Sequence, residues 1–354
     1  MALTISQVKE SVRRSIEADT PVMLWGPPGI GKSESMAQLA EEMDYRFIDI
    51  RLSQMDAVDL RGIPHVDKAT GRTNWAIPTM WPDEDDETPT LIMFDEINHA
   101  TSATLSAAFQ AIQERRIGEY KFPKAVRIVA AANEERDGGA VTKRMPPPLN
   151  NRFTHFYAGS SHEDWIKWAV ANGVDPMVTG FIRFSPDSLN EFIAHSNTEE
   201  ERARVSEVRK RHAFATPRSW AAVNRYIRGA TDGSTGKIDL DPIRASILGT
   251  VGTDQATKFN GYIKYYMDMP DLDKVIKNPM QYDVPEAAGM RFAMCAGLSS
   301  KSNMKNFGQV LKYVTRMEKE FQAMVVKDAV NRNLELLVHP DCLKWQDDNE
   351  NLLD

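Results

Sequence analysis

The chain has 354 residues, enough for about two domains at roughly 150 residues each and for at least one substantial core. Hydrophobic residues at 42% and charged residues at 26% are ordinary globular values, which exclude whole-chain disorder and a fibrous repeat. The net charge of −7 argues against broad coating of nucleic acid, although it is compatible with a local basic channel.

No run of about 18 apolar residues occurs, so no membrane-spanning helix is expected. Residues 1–19 hold no apolar stretch of the signal-peptide kind, so no secretory leader is expected either. The two cysteines, Cys295 and Cys342, form no disulfide framework and no zinc pattern, and a reducing cytoplasm is the simplest setting.

Along the chain, 4–18 reads as an amphipathic helix, with Ile5, Val8, Val12 and Ile16 at three- to four-residue spacing. Residues 21–25 form a short apolar run that stops at Gly26, and 33–43 reads as helix again. Residues 47–50, 91–94 and 126–132 are further strand candidates, with a helix over 101–115. Short apolar strands alternating with helices predict a parallel sheet covered on both faces. Residues 63–77, apolar at the ends and turn-rich at the centre, predict a projecting β-hairpin, and the acidic run 83–87 reads as a solvated loop.

Past Phe153 strand signals are scarce, and 162–172, 187–195, 198–212 and 217–229 read as helices. A turn-rich linker, 231–236, precedes a mostly helical stretch, 241–337, and an acidic tail. Trp165 and Trp168 read as core of the first helical region, 199–211 as a solvated helix face, and Met267, Met269 and Met280 as core fillers.

Chemistry concentrates in the first third. Gly26, Pro27, Pro28, Gly29, Ile30, Gly31, Lys32 and Ser33 spell G-x-x-x-x-G-K-[ST] in full, between a predicted strand and a predicted helix. Glycines there let backbone N–H groups close around phosphate oxygens, and the helix N-terminus adds partial positive charge. Lys32 can reach the β- and γ-phosphates of ATP, and Ser33 can ligate Mg²⁺.

The strand 91–94 delivers Asp95 and Glu96 at its C-terminal end, where ligands sit in open α/β sheets. Asp95 would hold Mg²⁺ through water, and Glu96 would polarise the attacking water. The strand 126–132 ends in Asn133, which either hydrogen-bonds the γ-phosphate or lytic water or simply starts a turn.

In this order, 26–33, Phe94-Asp-Glu-Ile-Asn98, Ala132-Asn133, Leu149-Asn-Asn-Arg-Phe153 and Ala215-Thr-Pro-Arg-Ser-Trp220 resemble an AAA+ ATPase. The wording is similar to the MoxR-like branch of the helix-2-insert group, with 59–64 leading into the insert and Tyr120-Lys-Phe-Pro123 matching the hairpin before the first sensor strand. The resemblance covers about 4–230.

It implies an α/β P-loop core over 1–158, an α-helical lid over 159–230 and an α-helical C-terminal extension with an acidic tail over 231–354. It further implies that Asn133 is the first sensor, Arg152 the arginine finger for a neighbouring subunit, and Arg218 the second sensor. Arg144 and Arg136 are rival fingers. Where the family usually writes Asp-Arg-Phe, this chain has Asn151-Arg152-Phe153.

The implied activity is ATP hydrolysis in a ring, most simply a hexamer, that matures or activates a partner complex. In the MoxR branch that partner is often a protein with a von Willebrand factor A domain. The competing readings are a DNA-acting AAA+ motor, against which the net charge and the lack of an appended DNA-binding motif speak, a nucleotide-gated scaffold and a small-molecule kinase.

Overall fold

The computed structural model describes residues 2–133, 145–192, 198–231 and 238–349, with the side chains of 201 and 202 left aside. Its elements fall into two compact units, Met1–Ser160 with Phe192–Arg202, and Ser161–Glu191 with Ala203–Asp354.

In the first unit the strands are β1 Val22–Trp25, β2 Arg46–Arg51, β3 Ile63–Val66, β4 Thr73–Ala76, β5 Thr90–Asp95, β6 Arg116–Ile117, β7 Tyr120–Lys121, β8 Val126–Ala132 and β9 Thr154–Tyr157. The main helices are α1 Ile5–Glu17, α2 Lys32–Glu42, α3 Ala57–Arg61 and α4 Ser102–Glu114. One five-stranded sheet runs in the order β2-β5-β8-β1-β9, and every pairing in it is parallel.

Side-chain alternation sorts its residues into two cores. Val22, Leu24, Leu91, Met93, Val129 and Ala131 pack with Val8, Val12 and Ile16 of α1 and Met36 and Leu39 of α2. Met23, Ile92, Phe94, Ile128 and Ala130 face the other way, onto Leu105, Ala108 and Ile112 of α4 and Tyr120 and Phe122 beside β7. With both faces covered, β5 is buried along its whole length, which is why it reads as a continuous apolar run and not as an alternating one.

The sheet thus matches the sequence reading, with one addition. Past Phe153 strand signals are scarce, yet β9 follows at once and adds to β1 at the edge. It is short and half-exposed, so it carries neither the apolar run of an inner strand nor a clean alternation. The predicted hairpin is β3 paired antiparallel with β4, Pro64 opposite Trp75. Its turn is exposed, and Trp75 is half-buried and not enclosed. In the acidic run, Asp86 pairs with Arg46 at 2.7 Å and Glu84 accepts from the Lys121 N–H, while the other side chains are exposed.

The second unit is helical. Trp165, Phe181, Trp220, Phe259 and Tyr262 share one core, so segments before and after 231–236 pack together. Trp168 lies against the same core. Three sequence expectations change here. The helix Pro176–Phe184 was not foreseen, although Asp175 as N-cap and Pro176 in the first turn are start signals.

The expected helix over 187–195 is only a 3₁₀ turn, Pro186–Ser188, followed by bends to residue 192, and 193–195 lie outside the described residues. Tertiary bonds take the backbone groups that a helix would need: Trp220 Nε1 donates to the Ser188 carbonyl and the Glu191 N–H to the Ala215 carbonyl. Finally, Met267 and Met280 are 60% and 71% exposed and fill no core, whereas Met269 packs against one. Among the described residues no helix is long and apolar enough to cross a membrane.

Candidate active site

Strand register brings the phosphate-type residues together. Trp25 pairs with Ala132, so Gly26 and Asn133 leave β1 and β8 side by side, and Phe94 pairs with Ala130, which sets Asp95 one step away. All three ends lie at the C-terminal edge of the sheet, next to the start of α2.

The loop from Gly26 to Ser33 depends on glycine at two points. A Cβ on Gly26 would stand 2.7 Å from the Ala158 carbonyl oxygen, so only glycine lets β1 leave the sheet there. Gly31 caps α2 with φ 96°, in the left-handed region. The first N–H groups of α2 then face the loop, the arrangement that binds anions at helix N-termini.

Lys32 is buried, and its ammonium donates to the carbonyls of Gly26 (2.7 Å) and Pro27 (3.1 Å) and to Asn133 Oδ1 (2.9 Å). Ser33 Oγ donates to Asp95 Oδ2 at 2.6 Å. The other Asp95 oxygen accepts the Glu96 N–H at 2.8 Å. Glu96 holds φ 54° and ψ 35°, a left-handed conformation that costs a non-glycine residue about 1–2 kcal/mol. Its carboxylate accepts a short hydrogen bond from Ser53 Oγ.

Ser33 and Asp95 thus set a hydroxyl and a carboxylate oxygen side by side, a hard donor set that fits a divalent cation such as Mg²⁺. No group of three or more His, Cys, Asp or Glu among the described residues could hold a metal ion by itself.

Three further residues belong to this edge and were given no role from sequence. Ser53, in the turn after β2, is the partner of Glu96. Asn98 is buried, and its Nδ2 donates to the Asn133 carbonyl at 2.6 Å, fixing the end of β8. Asp49 on β2 is raised above the ordinary carboxylate value by burial first, then by the negative charge of Asp95; Arg51 opposes this and Glu96 adds to it. Only Asn98 left a trace in the sequence, as an amide inside the Phe94–Asn98 motif.

Arg152 lies elsewhere in this unit. Arg152 sits just before β9, which runs parallel to β1 with Val22 opposite Thr154, so it is at the N-terminal edge of the sheet. The four residues of β9 alone separate it from the loop edge by roughly 13 Å at about 3.3 Å per residue. It is exposed and makes no hydrogen bond or ion pair through its side chain with any described residue.

Arg218 belongs to the second unit. It is exposed in the first turn of the helix Pro217–Ala230, which Thr216 caps through a box with Ser219. Arg136 and Arg144 lie outside the described residues.

The profile of the AAA domain, dynein-related subfamily, matches residues 21–153. Residues 21–153 are thus similar to an AAA domain. The matched stretch spans every residue of the loop edge named above, and Arg152 as well. A stretch of 191 residues is 27% identical to midasin of Giardia intestinalis, covering 50% of this chain and 4% of that protein. The chain therefore spans a small fraction of that relative's length.

Among solved structures, a RuvB variant from Thermotoga maritima is 14% identical, covering 83% of this chain and 81% of that one, with a TM-score of 0.38. NtrX from Brucella abortus in complex with ADP is 10% identical, covering 99% and 68%, with a TM-score of 0.40. Likenesses of that size carry no argument here.

Proposed function

We propose that this chain is a Mg²⁺-dependent ATPase of the AAA+ class that works as a closed ring, most simply a hexamer, in the cytoplasm. The observation that carries the reading is the hydrogen-bonded set Lys32, Ser33, Asp95 and Asn133 at the mouth of an anion-binding helix N-terminus. Lys32, already among three oxygen acceptors, is the cation for the β- and γ-phosphates. The backbone from Gly26 to Gly31 cradles them. Ser33 and Asp95 would hold Mg²⁺, which when bound neutralises charge on the phosphates.

Glu96 polarises the attacking water. Asn133 gives its oxygen to Lys32, which leaves its Nδ2 to donate to the γ-phosphate or to orient that water. Arg152, at the far edge from its own loop, supplies charge to the neighbour's γ-phosphate, and Arg218 is the second sensor of the helical lid. A ring follows from head-to-tail contacts that close. In keeping with the MoxR-like resemblance, the ring remodels a partner protein complex, and a von Willebrand factor A domain is the partner type that the branch suggests. The exposed β3–β4 hairpin fits a part that reaches such a partner.

Two substitutions test the site by separating binding from chemistry. Lys32→Ala is expected to lose tight ATP binding by calorimetry while keeping its fold. Glu96→Gln is expected to bind ATP normally and to turn over at least about 100-fold more slowly. Unchanged affinity in a folded Lys32→Ala protein would sink the phosphate assignment, and near-normal turnover of Glu96→Gln would remove Glu96 from the reaction.

A further inference from the structure

We propose that His155 is a positioning residue for the finger segment, tying the strand that feeds the P-loop to the turn that carries Arg152. The inference rests on the reading of Arg152 given above. Trp25 is the last residue of β1 and directly precedes Gly26. Its indole Nε1–H donates to His155 Nδ1 at 2.8 Å. On the other side of the ring, His155 Nε2 lies 2.7 Å from the Asn150 carbonyl.

Indole can only donate and a carbonyl can only accept, so the two partners fix the imidazole as neutral, with its proton on Nε2. Two aromatic neighbours confine the ring further. It lies nearly coplanar with Trp25, edge to edge across that bond, with centroids 6.1 Å apart at 18°, and the Phe153 ring stands near-perpendicular to it at 6.3 Å.

The carbonyl that His155 grips is the one that closes the turn around the finger. Asn150 ends the short helix Pro147–Asn150, and its carbonyl also accepts the Phe153 N–H at 3.3 Å. The Arg152 N–H donates to the Leu149 carbonyl at 3.0 Å within the same turn. Arg152 therefore projects from a turn that Leu149 and Phe153 seat in the core, and His155 links the Asn150 carbonyl of that turn to the root of the P-loop. A finger works only if its guanidinium arrives in place, and misplacement by about 1 Å can cost 10²-fold in rate.

The test uses the two halves of the imidazole separately. His155→Gln can keep a donor near the Nε2 position and loses the acceptor for Trp25. His155→Asn can keep the acceptor near Nδ1 and loses the donor to Asn150. We expect His155→Gln to lower kcat about 3- to 10-fold and His155→Asn about 10- to 100-fold, both with KM for ATP unchanged.

Mixing His155→Asn subunits with Lys32→Ala subunits should restore turnover, because intact fingers then serve intact P-loops. Equal losses in both variants, a raised KM or no rescue after verified mixing would overturn the proposal. Should His155→Asn fail to fold, Trp25→Phe decides: it keeps an aromatic ring but removes the indole donor. It should lower kcat and leave ATP affinity intact, and wild-type kcat would count against the link.

Arg152→Ala separates the two levels. If it is fully active, the finger reading fails. If it is inactive while every His155 and Trp25 variant keeps wild-type kcat, only the present inference fails.

Discussion

The two ends of one parallel sheet differ in where their polar groups find partners. At the C-terminal end, Lys32, Ser33, Asp95, Glu96, Asn98 and Asn133 are bonded to one another or to the adjacent backbone. At the N-terminal end, Arg46 is tied to Asp86 and Thr90, and Arg127 to Asp19 and the Ile16 carbonyl. Arg152 stands at that same end, exposed, with a side chain that pairs with no described residue.

One end is organised by the chain itself, since a buried lysine and carboxylate must be paired to be tolerated. The other holds an arginine in a tight turn with its charge directed outward, which costs little in water and becomes useful only when something arrives.

The largest expected effect breaks this comparison at its outward-facing member. Arg152→Ala should bind ATP almost normally and lose about 10³–10⁵ in hydrolysis, the worth of an arginine finger. Mixed with Lys32→Ala subunits, it should regain activity at interfaces that pair an intact loop with an intact finger. Two inactive parents that stay inactive after verified subunit exchange would show that the arginine does not act in trans. Full activity of Arg152→Ala alone would pass the role to Arg144 or Arg136.

A smaller effect is expected inside the self-organised end. Ser53 donates a hydrogen bond to the Glu96 carboxylate and so holds its orientation at the end of β5. Ser53→Ala should therefore lower turnover by about 2- to 5-fold at unchanged KM, a modest step on the scale of acid–base catalysis. Wild-type turnover would mean that Ser53 does not aim Glu96.

The sequence made the loop edge legible because its constraints are local. Gly31 must adopt a left-handed backbone, Lys32 and Ser33 must open a helix, and Asp95 must end a buried strand, so each leaves a residue type at a fixed offset. Ser53, Asp49 and His155 left no such mark. Ser53 reaches Glu96, Asp49 feels the charge of Asp95 and His155 meets Trp25, and a pairing set across strands cannot be seen until the strand order is known.

The helical unit was less legible for the same reason. Trp220 takes the Ser188 carbonyl from a distant helix, and that bond ends a helix which periodicity favoured. Met267 and Met280 were misjudged because residue type predicts burial only on average.

The smallest expected effect sharpens the contrast between arginines at one edge. Asp86 is held down to about 2 by hydrogen bonds from the Thr88 side chain and backbone first, and then by Arg46. A carboxyl with a depressed folded value lends stability that is present above its ordinary value of 3.8 and is lost as pH falls through about 2. Denaturant titrations between pH 5 and pH 2 should thus show a steeper acid loss in the wild type than in Asp86→Asn, whose amide cannot titrate.

At pH 7 the same variant should hydrolyse ATP at the wild-type rate, because the Arg46–Asp86 pair at 2.7 Å only fastens the loop before β5 to β2. Identical acid limbs would remove Asp86 as a fastening. A loss of turnover at pH 7 would mean that this edge serves the reaction through more than Arg152.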